Sequence, residues 1–146
     1  MPTSKTNWTW QLDRTIPSEL VVGRKLLDEL LAKLESLKWN RHDIFSVHLA
    51  VDEALTNAIV HGNKSDAEKQ VRFSCRVSPD VVRVEIVDEG GGFDPHALPD
   101  PTAPDRLECP CGRGVMLMRS FMTRIEYNAK GNSVVLEKRR DVAPAG

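Results

Sequence analysis

The sequence predicts an α+β fold, a two-layer α/β sandwich in which helices cover one face of a mostly antiparallel or mixed sheet. Three observations support this prediction. Most strand-like segments are joined to the next by a short turn, two long amphipathic segments follow the first strand, and no repeat or linker divides the chain. Because 146 residues is the length of one domain, we expect a single domain over residues 1–146.

The first strand and the first helix are predicted from two different periodicities. Residues 7–16, NWTWQLDRTI, alternate apolar and polar side chains with Trp8, Trp10 and Leu12 on one side, as in a half-buried strand. The segment that follows, ELVVGRKLLDELLAKLESL, repeats its leucines at three- and four-residue steps. We therefore predict a long amphipathic helix with Pro17 at its start.

The second helix is predicted to begin at Asp43, whose side chain can cap it, and to stop at Gly62 and Asn63. Two alternating runs, VRFSCRV and VVRVEIV, then form a hairpin around the turn SPD. A short helix, VMLMRSFM, and a last hairpin, TRIEYNA with SVVLEKR, complete the chain. Between the hairpins, residues 88–114 are rich in Gly, Pro and Asp, and so long a structureless segment is usually functional or disordered.

The composition argues against several classes of function. Twenty basic and twenty-one acidic residues give a formal charge of -1, which supplies no general attraction to nucleic acid or to an anionic membrane. The N-terminal residues lack a signal-peptide pattern, and no apolar run approaches the ~20 residues that span a bilayer. Three cysteines are unlike a secreted disulfide framework. We expect a cytoplasmic protein with reduced thiols that binds neither nucleic acid nor membrane.

One polar stripe on the second predicted helix is a candidate for chemistry. Glu53, Asn57 and His61 lie at the edge of the apolar face, because four-residue steps advance only ~40° around the axis. A carboxylate and a carboxamide one turn apart can orient a nucleophile and hold a hydrated Mg²⁺, which prefers oxygen ligands. Taken alone, the stripe is also compatible with a solvated polar face that ends at a Gly62 cap.

Two glycine-rich segments are candidates for binding the rest of a nucleotide. In VDEGGGFDP, Asp88 at a strand end can accept from a purine amino group, and the glycines at positions 90–92 allow close approach of a flat ligand. In CGRGVMLM, Gly112, Arg113 and Gly114 stand at a helix start, where free N–H groups and a guanidinium favour phosphate. Each segment alone could also be an ordinary turn.

In their order and placement, these motifs resemble the GHKL ATPase superfamily, which includes gyrase, histidine-kinase and mismatch-repair ATPase domains. DEALTNAIVHGN resembles its N box, VDEGGGF its DxGxG box and GRGVMLM its second glycine box, with a nucleotide lid over residues 93–111. The resemblance covers about residues 12–136 and implies the Bergerat-type ATP-binding fold. Because Glu53 stands four residues before Asn57 and no dimerisation or receiver domain is attached, the chain is most similar to the anti-sigma-factor serine/threonine kinases.

The resemblance implies a role for each motif residue. Glu53 would be the general base that takes the proton from a substrate serine or threonine hydroxyl as it attacks the γ-phosphate of ATP. Asn57 would bind the Mg²⁺ that bridges the phosphates, and Asp88 would accept from the adenine amino group. The remaining motif residues would surround the nucleotide, at the base (Gly90, Gly92) and along the triphosphate (Gly112, Arg113, Gly114).

The resemblance also implies an activity and partners. The chain would be an ATP- and Mg²⁺-dependent protein serine/threonine kinase that phosphorylates an anti-sigma-factor antagonist, sequesters a sigma factor in its other state, and so regulates transcription by partner switching. Members commonly dimerise through the sheet edge, which makes Trp8 and Trp10 candidates for a homodimer contact.

Other interpretations of the sequence stay open. The chain could be a nucleotide-binding interaction module that sequesters a partner without phosphoryl transfer. It could also be a free-standing catalytic domain of a histidine kinase, although that activity normally needs a dimerisation domain for which we see no spare length. In the lid, His96, Cys109 and Cys111 could bind Zn²⁺, but structural zinc normally has four ligands.

Overall fold

The computed structural model describes residues 8–66, 68–90, 122–128 and 131–140. In these ranges the chain forms two α-helices, a π-helical segment and five strands. In chain order they are β1 (Trp10–Pro17), α1 (Leu20–Ser36), α2 (Arg41–Thr56), the π segment (Asn57–Gly62), β2 (Gln70–Val77), β3 (Val81–Asp88), β4 (Arg124–Tyr127) and β5 (Ser133–Arg139).

The strands form one sheet in the order β1-β2-β3-β5-β4. All four pairings between described strands are antiparallel, so no parallel pair occurs in that part of the chain. The α+β sandwich predicted from the sequence is confirmed, as are both predicted hairpins. Because Ser133 at the start of β5 lies opposite Val87 near the end of β3, the β4–β5 turn stands beside the end of β3.

Both helices pack on the same face of the sheet, where α1 contacts β1 and β2 and α2 contacts β3 and β5. Phe73 and Ile86 on that face are fully buried. Leu27, Leu30 and Leu34, which the predicted helical periodicity places on one side of α1, are buried against it. Burying each such side chain stabilises the fold by about 1.5–3 kcal/mol, so the leucine stripe is enough to fix α1 on the sheet.

Pro17 is the last residue of β1 and not the first of the helix. It pairs with Gln70, and the helix begins at Leu20 after Glu19. Strand pairing decides the position of this proline, because β1 is an edge strand and a residue without an N–H is tolerated there.

The cap of α2 is Asn40 and not Asp43. The Asn40 Oδ1 accepts from the Asp43 N–H at 2.7 Å, and its Nδ2 donates to the Asp43 Oδ2 at 3.1 Å. Asp43 is instead a buried residue of the first turn, 3.6 Å from the Nζ of Lys138 on β5. The ion pair between Asp43 and Lys138 holds the start of α2 against β5. The sequence around Asp43 gave no sign of this contact, because Lys138 is distant in the chain.

Residues 115–121 of the third predicted helix lie outside the described ranges. The predicted end of the second helix is confirmed, since its last helical residue is Gly62. No helix in the described part of the chain is both long enough and apolar enough to cross a bilayer.

Candidate functional site

The π segment ends the second helix and carries the central motif of the chain. Its hydrogen bonds reach the fifth residue back, as where the Asn63 N–H donates to the Ala58 carbonyl at 2.9 Å. Short π turns are rare and are frequent at functional sites. The three consecutive residues Asn57, Ala58 and Ile59 are all buried here, so a carboxamide enters the interior together with apolar neighbours.

The Asn57 side chain is buried, and no described residue forms a hydrogen bond with it. The residue is 3% exposed, and neither its Oδ1 nor its Nδ2 has a partner among the described residues. A buried polar group without a partner costs about 1–3 kcal/mol. A side chain retained at that cost is suited to a ligand that supplies the missing contacts.

Asn57 and Asp88 line the same cavity. Among the described residues, this cavity has an empty volume of about 210 Å³, including the part that is open to solvent. Its walls come from the helix (Ala54, Asn57, Ala58), from β3 (Ile86, Asp88), from β4 (Tyr127) and from the β4–β5 turn with the start of β5 (Gly131, Asn132, Ser133, Val134). Asn57 and Asp88, 31 positions apart by their numbers, therefore face one space.

The turn at the end of β3 is held by three consecutive N–H groups. The Asp88 N–H donates to the Asn132 carbonyl at 2.8 Å, the Glu89 N–H to the Asn63 Oδ1 at 2.8 Å, and the Gly90 N–H to the Asp88 Oδ1 at 2.8 Å. Asp88 itself is 7% exposed. Its carboxylate is therefore fixed at the wall of the cavity, with one oxygen engaged by its own turn.

Two glycines allow the helix end and this turn to touch. A Cβ on Gly62 would lie 2.6 Å from the Asp88 carboxylate, and a Cβ on Gly90 would lie 1.8 Å from the Gly62 carbonyl oxygen. Real Cβ atoms do not approach other atoms so closely. In the described structure, the absence of a side chain at Gly90 thus makes room for the helix end, whereas the sequence suggested room for a flat ligand.

Glu53 lies one turn before Asn57 on α2 and is half-buried. It is not among the described residues that line the cavity. Burial raises the pKa of its carboxyl group, the negative charge of Asp52 raises it further, and His61 opposes the shift. Asp52 is held by Arg24, whose Nε donates to the Asp52 Oδ1 at 2.8 Å. A carboxylate with a raised pKa is a better proton acceptor than an ordinary one.

The β4–β5 turn is a wall of the cavity that the sequence did not reveal. The Asn128 Oδ1 accepts from three successive N–H groups, those of Gly131, Asn132 and Ser133. This turn and Tyr127 reach the cavity because the sheet order places β5 beside β3. The turn letters KGN predicted the hairpin, but no local signal gave the order of the strands.

The chemistry of the Asn57 end fits a magnesium ion. Mg²⁺ takes oxygen ligands and keeps several waters, so a single protein oxygen such as the Asn57 Oδ1 is enough beside the phosphates of a substrate. No group of three or more His, Cys, Asp or Glu side chains that could hold a metal is present in the described ranges. The remaining predicted residues lie outside those ranges: Gly92, Gly112, Arg113 and Gly114 of the glycine boxes, and His96, Cys109 and Cys111 of the lid.

Known proteins resemble this chain over most of its length. The histidine kinase-like ATPase domain matches residues 16–138. An anti-sigma F factor of Clostridium beijerinckii is 31% identical over 105 residues, which cover 68% of this chain and 73% of that protein. The serine/threonine-protein kinase BtrW of Bordetella bronchiseptica is 30% identical over 123 residues, which cover 80% of this chain and 87% of that protein.

A solved structure has the same fold. The crystal structure of the RsbU and RsbW domains of Rv1364c from Mycobacterium tuberculosis superposes with a TM-score of 0.63 at 20% sequence identity. The match covers 94% of this chain but only 34% of that chain, so this chain spans about a third of its length. The structural likeness supports the α+β architecture described above.

Proposed function

The chain belongs to the histidine kinase-like ATPase domain family, and from that premise we propose that it is an ATP-dependent protein serine/threonine kinase and anti-sigma factor. The proposal rests above all on the one cavity that Asn57 and Asp88 share. A nucleotide bound there has its phosphates at the helix and its base at the turn. Membership of an ATPase family supports ATP as the substrate, and relatives named as anti-sigma factor and serine/threonine-protein kinase support the use made of it.

The helix end of the cavity holds the phosphates. The Asn57 carboxamide, buried without a partner among the described residues, supplies an oxygen for Mg²⁺. A bound Mg²⁺ neutralises charge on the phosphates during transfer. We extend the proposal to Gly112, Arg113 and Gly114 as lining of the triphosphate, on the order of the family motifs in the sequence.

The turn end of the cavity holds the base. Asp88 accepts a hydrogen bond from the adenine amino group, while the three N–H groups of its turn keep the carboxylate in place. Gly90 lets the turn approach the helix, and Gly92 lets the chain that follows approach the base.

Glu53 is the proposed catalytic base. Its raised pKa favours acceptance of the proton from a serine or threonine hydroxyl of the protein substrate as that oxygen attacks the γ-phosphate. Its place on α2 one turn before Asn57, the proposed Mg²⁺ ligand, supports this role.

The proposed partners are a sigma factor and an antagonist of the anti-sigma factor. The name of the Clostridium relative supports the first, and the kinase name of the Bordetella relative supports a protein substrate. We further propose that the protein works in the cytoplasm and forms a homodimer at the edge of the sheet, where Trp8 and Trp10 are partly buried and Trp10 packs against the core.

The test is phosphoryl transfer with the base removed. Purified protein with labelled ATP, Mg²⁺ and the antagonist should yield acid-stable phosphoserine or phosphothreonine. Glu53→Gln should bind ATP as the wild type does and lose transfer by at least about a hundredfold. Arg24→Gln, which releases Asp52 without touching Glu53, is the matched control and should retain transfer. Absence of transfer to the genuine antagonist in the wild type would reject the kinase proposal.

A second candidate is a binding module that holds ATP and sequesters its partner without transfer. It is favoured by the position of Glu53 outside the residues that line the described cavity. The same experiment separates the two candidates, because a pure binder shows no phosphoryl transfer in the wild type and keeps its ATP and partner binding in Glu53→Gln.

A further inference from the structure

Asn63 follows the π segment and is completely buried, at 0% exposure. Asn63 is neither a proposed catalytic residue nor a proposed contact of the nucleotide. Its main chain completes the π segment by donating to the Ala58 carbonyl. Its side chain therefore leaves the helix at the point where the helix meets the Asp88 turn.

The Asn63 carboxamide connects three distant segments. Its Oδ1 accepts from the Glu89 N–H at 2.8 Å, and its Nδ2 donates to the Ser18 Oγ at 2.9 Å and to the Gln70 carbonyl at 3.0 Å. Both donor positions and one acceptor position of a single buried amide are thus in use. Such a fully satisfied buried group imposes one geometry on the segments it joins.

One of these contacts reaches the turn at the base end of the cavity directly, that with the Glu89 N–H, and Gln70, which accepts from the Asn63 Nδ2, also donates its own N–H to the Glu89 Oε2 at 2.6 Å. Three N–H groups hold the turn. That of Gly90 donates to the Asp88 Oδ1 within the turn, and that of Asp88 donates to the Asn132 carbonyl in the β4–β5 turn. Of the three, only the Glu89 N–H donates to a residue at the end of the helix, the Oδ1 of Asn63. The Asn63 Oδ1 thus supplies a hydrogen bond that joins the Asp88 turn to the end of the helix that carries Asn57, beside the close approach of Gly62 and Gly90.

We propose that Asn63 is a positioning residue that fixes the Asp88 turn against the end of the nucleotide-binding helix, so that selectivity for adenine depends on the bond between its Oδ1 and the Glu89 N–H. This inference rests on the proposed function, since it takes Asp88 as the acceptor for the adenine amino group. Asn63 acts through Asp88 and does not touch the nucleotide.

The experiment compares ATP with inosine triphosphate (ITP), which has a carbonyl oxygen in place of the adenine amino group. Calorimetric titration gives the Kd of each for the wild type, Asn63→Ala and Ser18→Ala, with and without Mg²⁺. We expect the ratio of Kd for ITP to Kd for ATP to fall about three- to tenfold in Asn63→Ala, the range expected for one hydrogen bond. The factor by which Mg²⁺ tightens ATP binding should not change.

Ser18→Ala is the matched control. It removes a buried partner of the same carboxamide and also the bond from the Ser18 Oγ to the Lys69 carbonyl, but it leaves the Glu89 bond intact. It should lower stability and keep the wild-type ratio. An equal fall of the ratio in Ser18→Ala would overturn the inference, because general loosening would then explain the effect.

The other outcomes are also decisive. A wild type that selects ATP over ITP, together with an Asn63→Ala variant of equal selectivity, overturns the role of Asn63 and leaves the proposed function standing. A wild type without selectivity overturns the role of Asp88 itself. Should Asn63→Ala not fold, Asn63→Ser decides by the same ratio, because its shorter hydroxyl is unable to bridge Ser18 and Glu89 together.

Discussion

At the helix end of the cavity, the Asn57 carboxamide is buried and has no hydrogen-bond partner among the described residues. At the turn end, the N–H groups of Asp88, Glu89 and Gly90 each have an acceptor within 2.8 Å. The polar groups of the Asn57 side chain are therefore available to a ligand, whereas the N–H groups of the turn are already hydrogen-bonded within the protein.

This difference follows from what each end is proposed to bind. A hydrated cation and phosphates bring their own strong interactions, so a side chain waiting for them can be left unsatisfied at a cost of about 1–3 kcal/mol. A planar base is distinguished by one or two hydrogen bonds, and those must be aimed in advance. The contrast predicts that substitutions at the two ends will affect stability in opposite ways.

The largest expected effect is a loss of activity without a loss of stability, in Asn57→Leu. Leucine branches at Cγ as asparagine does but has no oxygen for a metal, so nucleotide-dependent phosphoryl transfer should fall by at least about a hundredfold when the proposed Mg²⁺ ligand is lost. The free energy of unfolding without nucleotide should stay equal or rise by about 1 kcal/mol, since the substitution removes a buried amide that has no partner in the described part of the chain. Urea denaturation with and without ATP and Mg²⁺ measures both effects.

A stability loss above about 1 kcal/mol in Asn57→Leu would contradict the contrast, because Asn57 would then contribute to the fold. Asn63→Leu is the matched comparison, because Asn63 is a second buried asparagine and its Oδ1 binds the turn end of the cavity through the Glu89 N–H. There the amide has three partners, so the same substitution should destabilise strongly.

Gly62→Ala tests the contact between the two ends. Its Cβ would lie 2.6 Å from the Asp88 carboxylate, so the turn must shift, at a cost of about 1–3 kcal/mol in the free energy of unfolding. We expect ATP binding to weaken as well, because the shift displaces Asp88. Thermal unfolding and nucleotide titration measure the two effects.

Gly23→Ala is the control for Gly62→Ala, since it also adds a methyl group to a buried helical glycine. Its Cβ would lie 3.3 Å from a flexible Leu55 side-chain carbon, and alanine favours a helix by about 1 kcal/mol over glycine. It should change stability little and leave ATP binding intact. Equal losses in both variants would show that the position beside Asp88 is not special.

The sequence predicted the elements well because their signals are local. Alternation gave the strands β2 and β3, and leucine spacing gave α1. It failed where a distant neighbour decides. Pro17 belongs to β1 because β2 pairs with it, and Asp43 is not the cap because Asn40 already fills that position.

The site was predictable only in part for the same reason. Asn57 and Asp88 came from motifs whose order resembles a known family, and the structure brings them to one cavity. Tyr127, Asn132 and Asn63 were not singled out as site residues, because their places depend on the sheet order and on contacts between segments remote in sequence. No periodicity of one sequence contains that information.

The smallest expected effect concerns Glu53 on α2, whose ionised carboxylate is destabilised in the folded protein. Burial, aided by the charge of Asp52 and opposed by His61, raises the pKa of Glu53 in the folded state. The ionised form is therefore disfavoured on folding, so its cost is present at neutral pH and disappears as the pH falls below the ordinary pKa of a glutamate.

Glu53→Gln should raise stability at about pH 7 by less than about 1 kcal/mol, since the side chain is half-exposed. The gain should vanish at about pH 3, below the ordinary pKa of a glutamate, where the Glu53 carboxyl group is protonated in both the folded and the unfolded state. Urea denaturation at the two pH values measures the gain, with Glu35→Gln on the exposed side of α1 as the baseline for removing one acidic charge. A gain that does not depend on pH would place its origin in packing and not in the charge of Glu53.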